Sequence, residues 1–208
     1  MTHIVLLGDS IFDNASYVSP GESVTEILSS IVEENTKVSL LAVDGDVTTD
    51  VKKQLKKFPK DATNVFISCG GNDALQHTSV LTKRIDSVND AMEIFTKVRE
   101  QFRRNYNAML KDVLKNTNNV TICTVYNSVP GIGESALTAL SLFNEVILSE
   151  AVINKLPLID LRVVCREEDD YSSISPIEPS GQGARKIANV IRSVVCDQGV
   201  KEVCKIYA

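Results

Sequence analysis

The sequence predicts an α/β domain spanning residues 1–208, built as a three-layer α/β/α sandwich around a five-stranded parallel sheet. Short apolar runs typical of buried strands alternate with longer segments in which apolar residues recur at helical spacing. Polar, glycine-containing loops follow several of these runs. In addition, 208 residues are enough for one domain with a full core.

The first half of the chain contains three predicted strands. Ile4–Leu7 is the first, and Val38–Val43 and Asn64–Cys69 follow it. Ser19-Pro20-Gly21-Glu22 predicts a helix start, with Ser as the N-cap, Pro at the first helical position and Glu two residues later. Thr48–Phe58 is predicted as a helix that ends at Pro59, and its lysines are interpreted as a solvated face.

The second half of the chain repeats the alternation. After an irregular stretch, the pattern predicts a long helix over Asn89–Lys115, a strand over Val120–Tyr126, a helix over Leu137–Ile153 and a strand over Leu156–Leu161. Repeated βαβ units imply a parallel sheet of flavodoxin-like order with helices on both faces.

The C-terminal part is predicted to hold one loop and one helix. Arg162–Pro179 is a long polar loop, and Ser180 caps a last helix. Val200–Tyr207 is ambiguous, and we interpret it as a short edge strand.

Charge, apolar runs and cysteine usage argue against nucleic-acid binding, membrane association and secretion. A net charge of -5 and a pI of about 5.1 give no reason to expect nucleic acid or an anionic membrane surface as a partner. We find no apolar run long enough to span a membrane and no signal peptide before the first strand. The five cysteines are scattered without metal-ligand spacing, which indicates a reducing compartment, so we expect a cytoplasmic protein.

Polar residues follow the first three strands. Gly8-Asp9-Ser10 follows the first strand, Gly45 the second, and Gly71-Asn72-Asp73 the third. Each group by itself is also compatible with an ordinary turn. Because the carboxyl ends of parallel strands meet at one edge, we expect these loops to converge on a single crevice.

These three motifs, in this order, resemble the SGNH (GDSL-like) hydrolase family over nearly the whole chain. The resemblance implies that Ser10 is a nucleophile and that Gly45 and Asn72 donate to the oxyanion of an ester under attack. Asp9 and Asp73 are expected beside the substrate, where they orient their turns. A metal site built from the acidic residues of these loops is an alternative that no spacing requires, so we expect neither metal nor cofactor. The aspartates concerned are Asp9, Asp44, Asp46 and Asp73.

The chain departs from the family at the base. The family normally carries Asp-x-x-His before the last helix, but here Ser175 and Glu178 occupy those two positions. His3 begins the first strand, at the opposite end from Ser10, and His77 is an alternative base. We therefore predict that Glu178 is the base, although a carboxylate there could also be a first-turn residue of the last helix.

The predicted function is hydrolysis of small carboxylic esters, with Glu178 as an atypical base. A carboxylate with a pKa of about 4.3 removes a proton less strongly than imidazole, so slow turnover of activated esters is expected unless burial raises that pKa. The alternative is a binding module that holds an acylated ligand without turnover. Few aromatic residues are available to line the site, which favours a small or modest acyl group. The candidates are Phe12, Tyr17, Tyr126 and Tyr171.

Overall fold

The predicted fold is confirmed by the computed structural model, which describes residues 1–196. Five parallel strands form one sheet in the order β2-β1-β3-β4-β5. The strands are β1 (Thr2–Gly8), β2 (Thr36–Leu40), β3 (Asn64–Ser68), β4 (Val120–Cys123) and β5 (Leu158–Ile159). The predicted edge strand at Val200–Tyr207 lies outside the described residues.

Seven α-helices connect or follow the strands within residues 1–196. They are α1 (Val24–Ile31), α2 (Val51–Gln54), α3 (Gly71–Leu75), α4 (Val88–Leu114), α5 (Glu134–Asn154), α6 (Leu161–Val164) and α7 (Gly181–Cys196). Short 3₁₀ turns cover Ala15–Tyr17, Leu55–Lys57, Thr78–Thr82 and Glu168–Asp170.

The central strand β1 separates two hydrophobic cores. Because side chains alternate along a strand, Ile4 and Leu6 face the layer of α1 and α7, whereas Val5 and Leu7 face the layer of α4 and α5. All four side chains are fully buried. A parallel strand covered on both faces accounts for the uninterrupted apolar run in the sequence.

The prediction that Ser19 caps the first helix is wrong. Helix α1 begins after Ser23, whose hydroxyl accepts from the Glu26 N–H while the Glu26 carboxylate accepts from the Ser23 N–H. The stretch at Ser19 is instead a turn closed by the Glu22 N–H on the Ser19 carbonyl. Gly21 has a φ of 88°, which no helix uses.

Other boundaries also differ from the prediction. The second predicted helix is α2 followed by a 3₁₀ turn, and the second and last predicted strands shorten to β2 and β5. Asn72 and Asp73, predicted in a loop, lie in the first turn of α3. Helix α6 occupies the start of the predicted polar loop. Ser180 does cap α7, since its Oγ accepts from the Gly183 N–H at 3.2 Å.

Helix α5 has the length and apolar composition of a membrane span, with a mean hydropathy of 1.6, so the expectation that no run is long enough was wrong. Its apolar content has another explanation. One side packs in the core beneath the sheet through Phe143, Val146 and Ile147. Its N-terminal part lines a cavity, described below, with Ala136 and Ala139.

Candidate active site

The site begins where β1 leaves the sheet. Gly8 has a φ of 123°, and a Cβ at this position would lie 1.7 Å from the Ser68 carbonyl oxygen. Only glycine therefore fits between β1 and β3 here. The chain turns directly afterwards, with the Asp9 N–H donating to the same Ser68 carbonyl at 3.0 Å, and this turn places Ser10 at the carboxyl edge.

Ser10 and Glu178, which are 168 positions apart in sequence, are in direct contact. The Ser10 hydroxyl donates to Glu178 Oε1 at 2.9 Å. Both residues are buried, with 5% and 4% of their surface exposed, and both line one cavity. A nucleophilic hydroxyl bonded to a potential base is the arrangement that nucleophilic catalysis requires.

Burial alters the acidity of Glu178. Its pKa is raised from 4.5 to about 7, mainly because the carboxylate is removed from water and secondarily because Asp44 places a like charge nearby, while the bond from Ser10 opposes the rise. Within residues 1–196, Glu178 Oε2 is buried and has no hydrogen-bond partner. Few donors therefore offset the loss of water, and the carboxyl titrates near neutral pH.

The segment that carries Glu178 is held by hydrogen bonds on both sides. The Tyr126 hydroxyl donates to the Ile177 carbonyl, and the Asn14 amide donates to the Pro179 carbonyl at 3.2 Å. The Glu178 carbonyl accepts from the Ser172 N–H at 2.8 Å. These bonds fix the backbone before and after Glu178 and so place its side chain within reach of Ser10.

Asn72 lies beside Ser10 on the cavity wall. Its Nδ2 donates to the Asp46 carbonyl at 3.1 Å, which leaves the second amide hydrogen available. Gly45, the residue before Asp46, is exposed and has a φ of 82°. Within the described residues, neither the Ser10 N–H nor the Gly45 N–H donates to another protein group.

The two aspartates expected beside the substrate differ in position. Asp9 lines the cavity and accepts from the Ile11 N–H at 3.2 Å, and burial raises its pKa well above the ordinary value. Asp73 instead accepts from the Thr48 N–H and the Thr48 hydroxyl, at 3.0 and 2.6 Å. It ties α3 to the loop after β2, and burial raises its pKa as well.

The two histidines occupy opposite ends of the sheet. His77 lines the cavity near Phe143, but the Ser10 hydroxyl donates to Glu178. His3 is buried at the amino edge, where its Nε2 lies 2.8 Å from the Ser39 hydroxyl and its Nδ1 lies 3.0 Å from Asp61. The chain thus contains a Ser-His-Asp contact series away from the crevice, in which His3 Nδ1 lies close to Asp61 without the geometry of a hydrogen bond.

A cavity of about 290 Å³ opens beside Ser10. Polar groups occur where it meets Asp9, Ser10, Asn72 and Glu178, and its remaining wall is largely aliphatic or aromatic. The apolar lining comes from five segments of the chain. These side chains are Ile11, Ala74, Leu75, Val80, Leu81, Phe95, Val98, Val125, Tyr126, Val129, Ile132, Ala136, Ala139, Leu140, Phe143 and Ile177.

Of the aromatic residues expected around the substrate, only Tyr126 lines this cavity in the described part of the chain. Phe12 is a core residue. The Tyr17 hydroxyl donates to Asp44, and the Tyr171 hydroxyl donates to the Cys165 carbonyl. Six of the lining residues lie on α4 and α5, which the sequence predicted as helices without giving them a place in the site.

The alternative of a metal site finds no support in the site's geometry. Within residues 1–196, no three His, Cys, Asp or Glu side chains are grouped so that they could hold a metal ion. Asp44, Asp46 and Asp73 accept hydrogen bonds from Tyr17, Gln54 and Thr48, respectively.

Two supporting residues were missed from the sequence. Asn14 is fully buried and joins the Pro179 carbonyl to the Val24 N–H. Gln54 pairs through its amide with both the N–H and the carbonyl of Gly8, at 3.0 and 2.7 Å. Asn14 could have been found from its position close after the Gly8-Asp9-Ser10 motif, whereas no local sequence pattern marks Gln54.

Comparison with known proteins finds solved structures of the same fold. The extracellular lipase from Streptomyces rimosus is 18% identical, with 96% of this chain and 100% of that chain covered and a TM-score of 0.66. The lipase Lip_vut3 from a goat rumen metagenome is 22% identical, with 93% and 97% covered and a TM-score of 0.71. The acetyl xylan esterase AlAXEase is 16% identical, with 93% and 99% covered and a TM-score of 0.70.

No curated protein sequence matches the chain. The model of the GDSL-like lipase/acylhydrolase family, however, matches residues 6–186, which include all three motif loops and Glu178. Family and structural neighbours together support an ester hydrolase. The chain therefore belongs to the GDSL-like lipase/acylhydrolase family.

Proposed function

We propose that this protein hydrolyses carboxylic esters through an acyl-enzyme on Ser10, with Glu178 as general base and general acid. The observation that carries the proposal is the 2.9 Å bond between Ser10 and Glu178 at the polar end of an apolar cavity. A pKa of about 7 for Glu178 supports the assignment, because a base that titrates near the working pH transfers protons most effectively.

In the first half-reaction, the Glu178 carboxylate takes the hydroxyl proton as Ser10 Oγ bonds to the ester carbonyl carbon. The carbonyl oxygen then carries the negative charge. When this intermediate collapses, the bond to the leaving oxygen breaks, and that oxygen takes the proton from Glu178. A water molecule then attacks the acyl carbon while Glu178 takes its proton. When this second intermediate collapses, the bond to Ser10 Oγ breaks, Ser10 takes the proton back from Glu178, and the carboxylic acid leaves.

The oxyanion needs donors that are not already bonded. The Ser10 N–H, the Gly45 N–H and the second hydrogen of the Asn72 amide are the groups we assign to it. Each well-placed donor contributes about 3–4 kcal/mol of barrier reduction. With a carboxylate base, negative charge moves from Glu178 to the oxyanion and no ion pair forms, so these donors carry more of the stabilisation than beside an imidazolium.

The raised pKa changes the expectation of a slow enzyme. An unperturbed glutamate would return its proton poorly, whereas Glu178, with a pKa of about 7, is close to the ordinary value of imidazole, about 6.5. We therefore expect the enzyme to cleave alkyl esters with poor leaving groups in addition to activated aryl esters.

The test is hydrolysis of p-nitrophenyl butyrate between pH 5 and 9 by wild type, Glu178→Gln and His77→Gln. We expect kcat/KM of the wild type to rise with an apparent pKa of about 7, because Glu178 must be ionised. Glu178→Gln should lower kcat by about 10²- to 10⁴-fold. His77→Gln should keep the same pH dependence.

Two outcomes would contradict the proposal. If the pH dependence survives in Glu178→Gln and disappears in His77→Gln, then His77 is the base. If the wild type shows no turnover above background at any pH, the alternative of a binding module for an acylated ligand replaces the esterase.

A further inference from the structure

If the proposed function is taken as the basis, the structure also indicates the length of the acyl group in the substrate. We infer that the cavity beside Ser10 holds a linear acyl chain of medium length, and that Ala136 and Ala139 of α5 provide the space for it. Such an acyl chain is longer than the small or modest acyl group that we expected from the few aromatic residues in the sequence. The inference rests on where the polar groups lie, on the cavity's volume and on the spacing along α5.

Polar atoms are concentrated at the catalytic end of the cavity. Ser10, Asn72 and Glu178 are there, whereas the walls given by α4 and α5 present Phe95, Val98 and other carbon side chains. A ligand whose polar carbonyl sits at Ser10 therefore meets mainly hydrocarbon on the rest of the wall, where His77 and Thr78 are polar side chains among many apolar ones. An acetyl group would leave most of this wall uncovered, and a sugar ring in the cavity would leave its hydroxyls without partners.

The volume sets the length. An apolar cavity of about 150 Å³ holds one benzene molecule, which has six carbons. The cavity beside Ser10 measures about 290 Å³. By the same ratio it accommodates a chain of roughly eight to twelve carbons.

The spacing on α5 explains how the space arises. Ala136, Ala139, Leu140 and Phe143 all line the cavity and follow one another at helical i, i+3, i+4 and i+7 spacing, so they form one face. Alanine at two of these four positions leaves room that larger side chains would fill. Thr138, one residue before Ala139, is exposed on another face of the same helix.

The test compares p-nitrophenyl esters of acyl chains with 2, 4, 8, 10, 12 and 16 carbons. Each methylene buried in the cavity should raise kcat/KM by about fourfold until the cavity is full. We expect the octanoyl or decanoyl ester to exceed the acetyl ester by about 100-fold or more, and the 16-carbon ester to fall again.

The variants locate the chain. Ala139→Phe should lower the ratio of kcat/KM for the decanoyl ester to kcat/KM for the acetyl ester by at least about tenfold, because the added ring occupies space that the longer chain needs. Thr138→Phe adds the same ring on the exposed face and should leave both values unchanged. Ala139→Val is the milder variant if Ala139→Phe melts below the assay temperature, and it should shift the optimum to a shorter chain.

A second readout separates this inference from the proposed function. Calorimetry of Ser10→Ala with decan-1-ol, an uncharged probe, measures occupancy of the cavity without turnover. Binding that is lost on adding Ala139→Phe and kept on adding Thr138→Phe supports the acyl site even if no ester is hydrolysed. The inference is overturned if decan-1-ol does not bind, or if the acetyl ester is the best substrate of an active enzyme.

Discussion

Ser10 and Ser39 each have a hydroxyl in hydrogen-bonding contact with a potential base, but they lie at opposite ends of the same sheet. Ser10 contacts a glutamate at the carboxyl edge, and within residues 1–196 the second carboxylate oxygen of that glutamate has no hydrogen-bond partner. Ser39 contacts His3, which in turn contacts Asp61. By residue type, the second set is the closer match to a Ser-His-Asp triad.

The surroundings of the two serines differ in every other respect. Ser10 follows a strand in a tight turn, has an N–H that no described protein group accepts from, and opens onto a cavity. Ser39 lies within β2, an edge strand, and none of Ser39, His3 and Asp61 is among the residues that line that cavity. The His3 series instead ties β2 to β1 and to the loop before β3.

Under our proposal, triad composition alone does not make a catalytic site. A nucleophile also needs space for the substrate and donors for the oxyanion, and the cavity and the groups that we assign to the oxyanion lie at the carboxyl edge of the sheet. The following variants test that distinction, in decreasing order of expected effect.

The largest effect is expected from removing the nucleophile. Ser10→Ala should lower kcat for p-nitrophenyl octanoate by about 10⁴-fold or more, because no acyl-enzyme can form. Ser39→Ala, the matched control, should leave kcat/KM unchanged. Mass spectrometry after treatment with an organophosphate should find the label on the peptide that contains Ser10, and a label at Ser39 would reverse the assignment.

A smaller effect is expected at the oxyanion donor. Asn72→Ala should lower kcat by about 10²- to 10³-fold with little change in KM, because the amide is assigned to a charge that develops only in the transition state. Gln76→Ala removes an exposed amide at the end of the same helix and serves as the control. If KM rises by a similar factor and kcat does not fall, Asn72 binds the substrate in the ground state and does not act as an oxyanion donor.

Glu178 should influence stability in the opposite direction from activity. Its folded pKa of about 7 lies above the ordinary value of 4.5, so the stability that it contributes is fully present below pH 4.5 and is lost as pH rises through 7. At pH 8, Glu178→Gln should therefore raise the free energy of unfolding by roughly 1–3 kcal/mol. At pH 4.5 the gain should vanish.

Denaturant unfolding at the two pH values measures this change. A lower stability of Glu178→Gln at pH 8 would mean that the carboxylate is a structural group, such as a first-turn residue serving α7, and not a base held in an unfavourable environment. Asp44→Asn is a useful companion variant, because it removes the nearby like charge and should lower the pKa in the activity profile.

The smallest effect on activity is expected at the amino edge. His3→Ala should leave kcat/KM unchanged and lower the free energy of unfolding by about 1–2 kcal/mol, because the buried contact with Ser39 is lost. Thermal unfolding and the octanoyl ester assay measure the two quantities on the same preparation. A large loss of activity with unchanged stability would assign the His3 series a catalytic role.

Most of the fold could be predicted from local patterns. The apolar runs located all five strands of the described region, and their alternation with helices predicted a parallel sheet, because a strand buried on both faces cannot show polar alternation. Boundaries were less predictable. Ser19 and Ser23 both precede a helical pattern, and only the bonds between Ser23 and Glu26 decide where α1 begins.

By itself, the sequence determined the order of the motif loops and the edge of the sheet at which Ser10, Gly45 and Asn72 lie, and it predicted Glu178 as the base where the family usually carries histidine. The tertiary structure alone decided that Glu178 contacts Ser10, that the pKa of Glu178 is raised, and that a largely apolar cavity of about 290 Å³ adjoins them. It also decided that His3 contacts Ser39 and Asp61 at the amino edge of the sheet, away from the cavity. Desolvation and cavity shape depend on segments far apart in sequence, and they do not exist until those segments pack together.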